Sequence, residues 1–381
     1  MSKYGNSDRD DPVPEERGSR FRLPVIAWLS VLFFAACTKM SPEDGVARHD
    51  GTLVRLTVSL PQPALPTKGA RAGSLSGDAE NRIEDVMILV LEQENGKYVY
   101  RYMTEGERLE STGSGTQFQA KLLSTSKPVK LMLAGNYGDA FAAYAPSPSH
   151  SEAEVKAGIG CSFTGAAQSL PMYGEIAVPS GLEADRENRF SVKMLRAVAR
   201  IDVEKDLTAD SRPLRIESVR LYRPNDKIQL APDESFAPES PQVTAPSVFA
   251  GAVKSQSPVV TETSEPDPVS IAGIYVPEAD GVADAAARLT EATCIVVGGY
   301  YDGQSQPTYY RVDFDPGLEG HPFGQILRNY KYVFRIRKVT GPGWSDPGLA
   351  AVNKATSIVA EIEPWEDFTT EMHFEGDNYI G

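Results

Sequence analysis

The sequence predicts an all-β protein of two tandem sandwiches, on three observations: apolar and polar residues alternate over short runs, turn residues separate those runs, and few stretches carry a helical period. Length supports the count of two. At 381 residues and 41% hydrophobic content, the chain can bury two ordinary cores and is too long for one typical sandwich. The expected division is 37–208 and 209–381, with the polar stretch Glu204–Pro213 at the boundary.

The first strand is predicted over Leu53–Leu60, where Val54, Leu56, Val58 and Leu60 alternate with Arg55, Thr57 and Ser59. Residues 61–77 follow as an exposed loop rich in Pro, Gly and Ser, carrying Lys68 and Arg71. Further strands are expected at Val86–Leu91, Tyr98–Tyr102, Phe118–Leu122 and Val129–Ala134. The pair Asn95-Gly96 tolerates positive φ and closes the first two into a hairpin. Asp139–Ala157 holds room for one short helix, and Met194–Val203 reads as one long final strand of the first set, although its Ala and Leu content also suits a helix. The second set runs Leu214–Leu221, Ile271–Val276, Thr293–Tyr301, Tyr309–Phe314, Tyr330–Val339 and Thr356–Ile362. It is interrupted by Pro224–Ser270, where proline denies the ladder its donors and forbids a core strand. Past Trp365, Phe368, Met372 and Phe374 continue on the even side with Ile358, Ala360 and Ile362. Glu361, Glu363, Glu371, His373 and Glu375 occupy the odd side. Residues 366–381 therefore read either as a strand that could enter a neighbour's groove or as the last strand of their own domain.

The opening residues predict export. Arg17, Arg20 and Arg22 precede the apolar run Leu23–Ala36, whose 14 residues fall short of the ~20 a membrane-crossing helix needs and fit a signal peptide over 1–36. Small residues, Ala35 and Ala36, stand directly before Cys37, as a lipoprotein signal peptidase requires, and the segment resembles the bacterial lipobox. Cys37 is the expected lipidation site. That leaves Cys161 and Cys294: an oxidising compartment permits a disulfide between them, but two cysteines so far apart form no framework, and free thiols are the favoured expectation.

Composition and motifs argue against several functions. With 38 Lys+Arg against 52 Asp+Glu, the formal charge of −14 repels nucleic acid and anionic membrane surfaces. His49, His150, His321 and His373 stand singly, so neither a metal nor another cofactor is expected. No nucleophile elbow, phosphate-cradling loop or dinucleotide fingerprint occurs, and an enzyme is not expected. Asp313, Asp315 and Glu319 offer three oxygen ligands at a spacing unlike a calcium loop and read as a solvated strand end. The tyrosines at 300, 301, 309, 310, 330 and 332 read as ordinary sheet residues. An alternative is a glycan-stacking platform using Tyr301 and Tyr310.

Several phrases taken in order, Asn81–Val90, Leu133–Tyr137, Leu170–Glu175, Leu195–Val203, Ile326–Tyr332, Gly341–Gly343 and Glu363–Trp365, resemble the fimbrillins of Bacteroidales over most of the chain from Cys37. The resemblance implies two transthyretin-like β-sandwich domains and a fimbrial (pilus) subunit serving adhesion. It also implies export to the outer membrane as a lipoprotein acylated, for example with palmitate, on Cys37. An arginine-specific protease would then remove the lipid and first strand, and other fimbrial subunits would join by donor-strand exchange. A useful cut must fall after Leu60, which excludes Arg48 and Arg55. Arg82 abuts the next strand, and Arg71, followed by Ala72 among small residues, is the expected site. Within such a family, an anchor subunit that keeps its lipid and is not cleaved is the alternative, and a surface lipoprotein that binds glycans is another.

Overall fold

The computed structural model describes residues 52–59, 80–109, 116–165, 169–184, 187–206, 210–233, 243–315 and 321–363. All of them fall within the compact unit Pro42–Gly381. The signal segment 1–36, Cys37 and the loop 61–77 lie outside the described residues, as does the candidate donor 366–381.

The first sandwich is built from β1 (Thr52–Ser59), β2 (Val86–Glu94), β3 (Lys97–Glu105), β4 (Glu107–Arg108), β5 (Thr116–Leu122), β6 (Val129–Gly135), β7 (Gly160–Ser162), β8 (Met172–Val178), β9 (Asn188–Lys193) and β10 (Leu195–Arg196). One sheet has the order β4-β5-β1-β9 and the other β10-β8-β6-β2-β3. The inner strands β2 and β6 are near-continuous apolar runs, because partners on both sides and a facing sheet bury most of their positions. The β2–β3 hairpin turns on Asn95 and Gly96 at φ 50° and 78°, the positive pair its two-residue turn demands. The expected helix forms over Glu152–Gly158, at the end of the predicted window. There Ser151 caps it and Glu154 returns a bond to the Ser151 amide.

The chain continues through β11 (Val198–Lys205), β12 (Leu214–Tyr222), β13 (Lys227–Gln229), β14 (Val259–Glu262), β15 (Ser270–Pro277), β16 (Cys294–Tyr301), β17 (Thr308–Asp313), β18 (Lys331–Val339) and β19 (Ile358–Glu363), and all of these but β13 build the second sandwich. Its sheets have orders β15-β11-β18-β19 and β14-β12-β16-β17, and they enclose a core that includes Ile201, Leu214, Val297, Tyr310 and Phe334. Among the described residues of the proline-rich interruption, the short β13 and the edge strand β14 are the strands that form, as missing ladder donors dictate.

One expectation is corrected. Met194–Val203 is not a single strand. It breaks at Ala197: β10 pairs with β8 in the first sandwich, whereas β11 pairs with β15 and β18 in the second. The apolar pattern runs through the break unchanged, since Leu195, Val198, Ile201 and Val203 are all buried. Only the ladder partner changes, from Pro171 at Ala197 to Tyr330 at Arg200. The chain thus changes sheets at Ala197, and Glu204 and Lys205 of the expected boundary stretch belong to β11. The chain later crosses back. β13 pairs with β7, and Ile228, Leu230 and Ala231 pack in the first core. Arg328, fully buried, holds this crossing by donating to the Gln229 and Leu230 carbonyls while its charge meets Glu278 at 2.6 Å.

Candidate functional site

The first strand occupies the interior of its sheet. It runs antiparallel to β5, with Val54 opposite Ala120, Leu56 opposite Phe118 and Val58 opposite Thr116. It also runs parallel to β9, from Val54 opposite Asn188 to Ser59 opposite Lys193. Val54 is 0% exposed and joins the first core with Phe118, Ala120, Leu122 and Val192. Arg55, on the other face, is exposed and pairs with Glu187. The buried Val54 and the exposed Arg55 thus take opposite faces of β1, as the pleat requires of successive residues.

Among the described residues β9 has no strand partner except β1. Taking β1 away would strip one edge of β5 and the only ladder of β9, in addition to emptying the Val54 socket. A row of unpaired backbone groups beside an apolar slot is a template for an added strand. Sequence reading gave no sign of β9. In Asn188-Arg189-Phe190-Ser191-Val192-Lys193 only two apolar residues alternate with polar ones, a signal too short to separate from a loop.

The other expected site residues divide between described and undescribed segments. Leu56 and Val58 take register positions in β1, while Leu60, Arg71, Ala72 and Cys37 lie outside the described residues, as do Phe368, Met372 and Phe374. Arg55 sits mid-ladder, and the Arg82 carbonyl accepts a hydrogen bond from Asn136 Nδ2 at 2.8 Å. Both backbones are engaged. Up to Ile362 the C-terminal alternation serves its own domain: Ile358, Ala360 and Ile362 pack against the second core, and β19 pairs antiparallel with β18.

Remaining candidates resolve into structural roles. Cys161 and Cys294 are free and buried, and burial pushes their thiols up to about 12 and about 11. The tyrosines form no common platform. Tyr310 is fully buried and donates to the Gly341 carbonyl, against the alternative that it serves a glycan platform, and Tyr301 packs against the second core. Tyr300 and Tyr309 lie under Arg215 and Arg220, at 4.3 and 5.1 Å from ring centre to guanidinium. Tyr330 stacks on Tyr332, whose hydroxyl accepts from the Leu327 amide. Asp313 pairs with Arg311 and Glu319 lies outside the described residues. Among the described residues no three His, Cys, Asp or Glu side chains cluster to hold a metal. His150 accepts from the Ser147 amide and His321 is exposed, while His49 and His373 lie outside the described residues.

No family model matches the sequence, and no curated protein matches it. Solved structures do. A candidate cell adhesion protein from Parabacteroides distasonis is 13% identical at a TM-score of 0.50, covering 83% of this chain and 100% of its own. The tip fimbrial protein Mfa3 from Porphyromonas gingivalis, with C-terminal truncation, is 14% identical at 0.45, covering 82% and 99%. A fimbrial assembly protein from Parabacteroides distasonis is 12% identical at 0.44, covering 82% and 94%. At 13% identity the likeness to the first is one of fold.

Proposed function

We propose that this chain is a structural, non-enzymatic subunit of a cell-surface fimbria supporting adhesion, exported as an outer-membrane lipoprotein through Cys37. An arginine-specific protease cuts after Arg71, the first strand leaves with the lipid, and a strand from a neighbouring subunit fills the vacated slot. The observation that carries this reading is the place of β1. The segment on the N-terminal side of Arg71 is an interior strand, between β5 and β9, rather than an edge. The fold shared with a candidate cell adhesion protein supports the adhesive role.

The physical consequences are consistent. Burying a side chain such as Val54 stabilises by about 1.5–3 kcal/mol as an upper bound, and each ladder bond adds about 1 kcal/mol net. An emptied slot is therefore a high-energy surface that any matching strand lowers. Phe368, Met372 and Phe374 supply apolar residues at even spacing, and they follow β19 on the same chain.

Two measurements test the proposal. The N-terminus of assembled protein is expected at Ala72; an intact acylated Cys37 in the polymer would instead identify an uncleaved anchor. Deleting 366–381 is expected to leave a folded, cleavable protein that does not polymerise. Fibres of unchanged length would remove this segment as the donor.

A further inference from the structure

Arg82 is the first described arginine past the proposed cleavage loop. Residues 82–85 belong to no helix or strand, and the Arg82 side chain is 58% exposed. By exposure alone it is a protease target. Its backbone is held instead. Asn136, in the left-handed region at φ 49°, donates from Nδ2 to the Arg82 and Leu170 carbonyls, both at 2.8 Å. Its Oδ1 accepts the Glu84 amide at 2.8 Å. Two carbonyls on one side of the amide and an N–H on the other fix its orientation. Ile83, the residue after the bond a protease would cut, is 1% exposed in the first core.

The residues just before are fastened to both sandwiches. Arg196 Nε donates to the Glu80 carbonyl at 3.3 Å, and its guanidinium also reaches Asn81 Oδ1. The Glu80 carboxylate accepts Tyr275 Oη at 2.5 Å and pairs with Arg200. From Glu80 to Glu84 every residue is thus bonded or buried, although the segment carries no ladder.

The geometry points to a proteolytic stop: by holding the Arg82 carbonyl and the Glu84 amide, Asn136 keeps an arginine-specific protease from the Arg82–Ile83 bond, so that processing of the N-terminal side ends before Glu80. Its biological meaning rests on the fimbrial reading above, but the protection of the Arg82–Ile83 bond does not. A protease must draw the residues flanking a scissile bond into an extended strand, which requires releasing both bonds to Asn136 and lifting Ile83 from the core. Cleavage then tracks the fraction of molecules locally open.

The test is limited digestion of the detergent-solubilised full-length protein with an arginine-specific endoprotease, the new N-termini being read by mass spectrometry. The wild type is expected to be cut before Glu80 and to resist at Arg82. Asn136→Gly, which keeps the positive φ without the side chain, is expected to give an Ile83 N-terminus at least about tenfold faster. Equal wild-type rates at Arg82 and upstream, or a folded Asn136→Gly that still resists at Arg82, would overturn the stop. Cuts at the buried Arg311 and Arg328 would mark global unfolding of the variant. Hydrogen exchange at the wild-type Glu84 amide then decides: slow exchange supports the stop and exchange at an exposed amide's rate refutes it. If Arg82 behaves as expected but no cut occurs at Arg71, the stop stands and the proposed processing site falls.

Discussion

Shortening Val54 to alanine separates the two states that strand replacement predicts. In the uncut protein Val54 is 0% exposed in the first core, so Val54→Ala removes two methyl groups from a packed site. Transfer of the two carbons and the residual cavity together put the cost at about 1.5–3 kcal/mol. Urea denaturation of the uncut chain, followed by far-ultraviolet circular dichroism, should show that loss. The polymer should not, because β1 has left with the excised piece. Between the two states the first strand must be expelled. Weakening its seat by that amount should speed polymerisation after cleavage by about ten- to a hundredfold, provided these contacts are broken in the transition state. A polymer destabilised as much as the uncut chain would show that β1 is retained, and the replacement reasoning would fail. An uncut chain with unchanged stability would show that Val54 does not hold the slot.

Other consequences follow from groups away from the slot. Glu278→Ala leaves the Arg328 charge buried and unpaired, and should cost about 3–5 kcal/mol in urea denaturation; a loss below about 1 kcal/mol would contradict the buried pair. Burial of Asp202 favours its neutral form, but hydrogen bonds from Arg200, the nearby Lys331 charge and the Gly273 amide outweigh that and hold its carboxyl below the usual 3.8. A depressed folded pKa gives stability that is present above the unfolded value and lost as pH falls toward the folded one. Thermal unfolding of Asp202→Asn should therefore be lower than wild type at neutral pH and fall less steeply below about pH 4; parallel curves would refute the assignment. Cys161 and Cys294, with thiols pushed up to about 12 and about 11, should resist alkylation at pH 8 until the chain is denatured. Rapid labelling of either in the native protein would show that it is not buried.

Much of the fold was legible because strands with one buried face must alternate. Leu53–Leu60 and the Asn95-Gly96 hairpin appear within a few residues of where the pattern places them. The tyrosines were less legible. Tyr310 is buried and Tyr300 lies under Arg215, yet nothing local distinguishes Tyr300 from Tyr301 or Tyr309 from Tyr310, since each pair alternates faces only once the register with β12 and β17 is set. Asn136 and Glu80 were invisible as a pair of clamps. Their partners lie 34 to 195 residues away along the chain, beyond any local pattern.

By itself the sequence determined that β1 is a strand with alternating apolar residues, that an arginine-bearing stretch rich in Pro, Gly and Ser follows it, and that the chain is built mainly of short strands, because side-chain period and turn chemistry are local properties. Only the tertiary structure decided that β1 is interior, that β9 depends on it, and that Met194–Val203 divides between two sandwiches at Ala197. Those outcomes depend on which distant backbone offers the hydrogen bonds. An apolar strand satisfies its own pattern equally well at an edge or in the centre, and continuing burial hides a change of ladder partner.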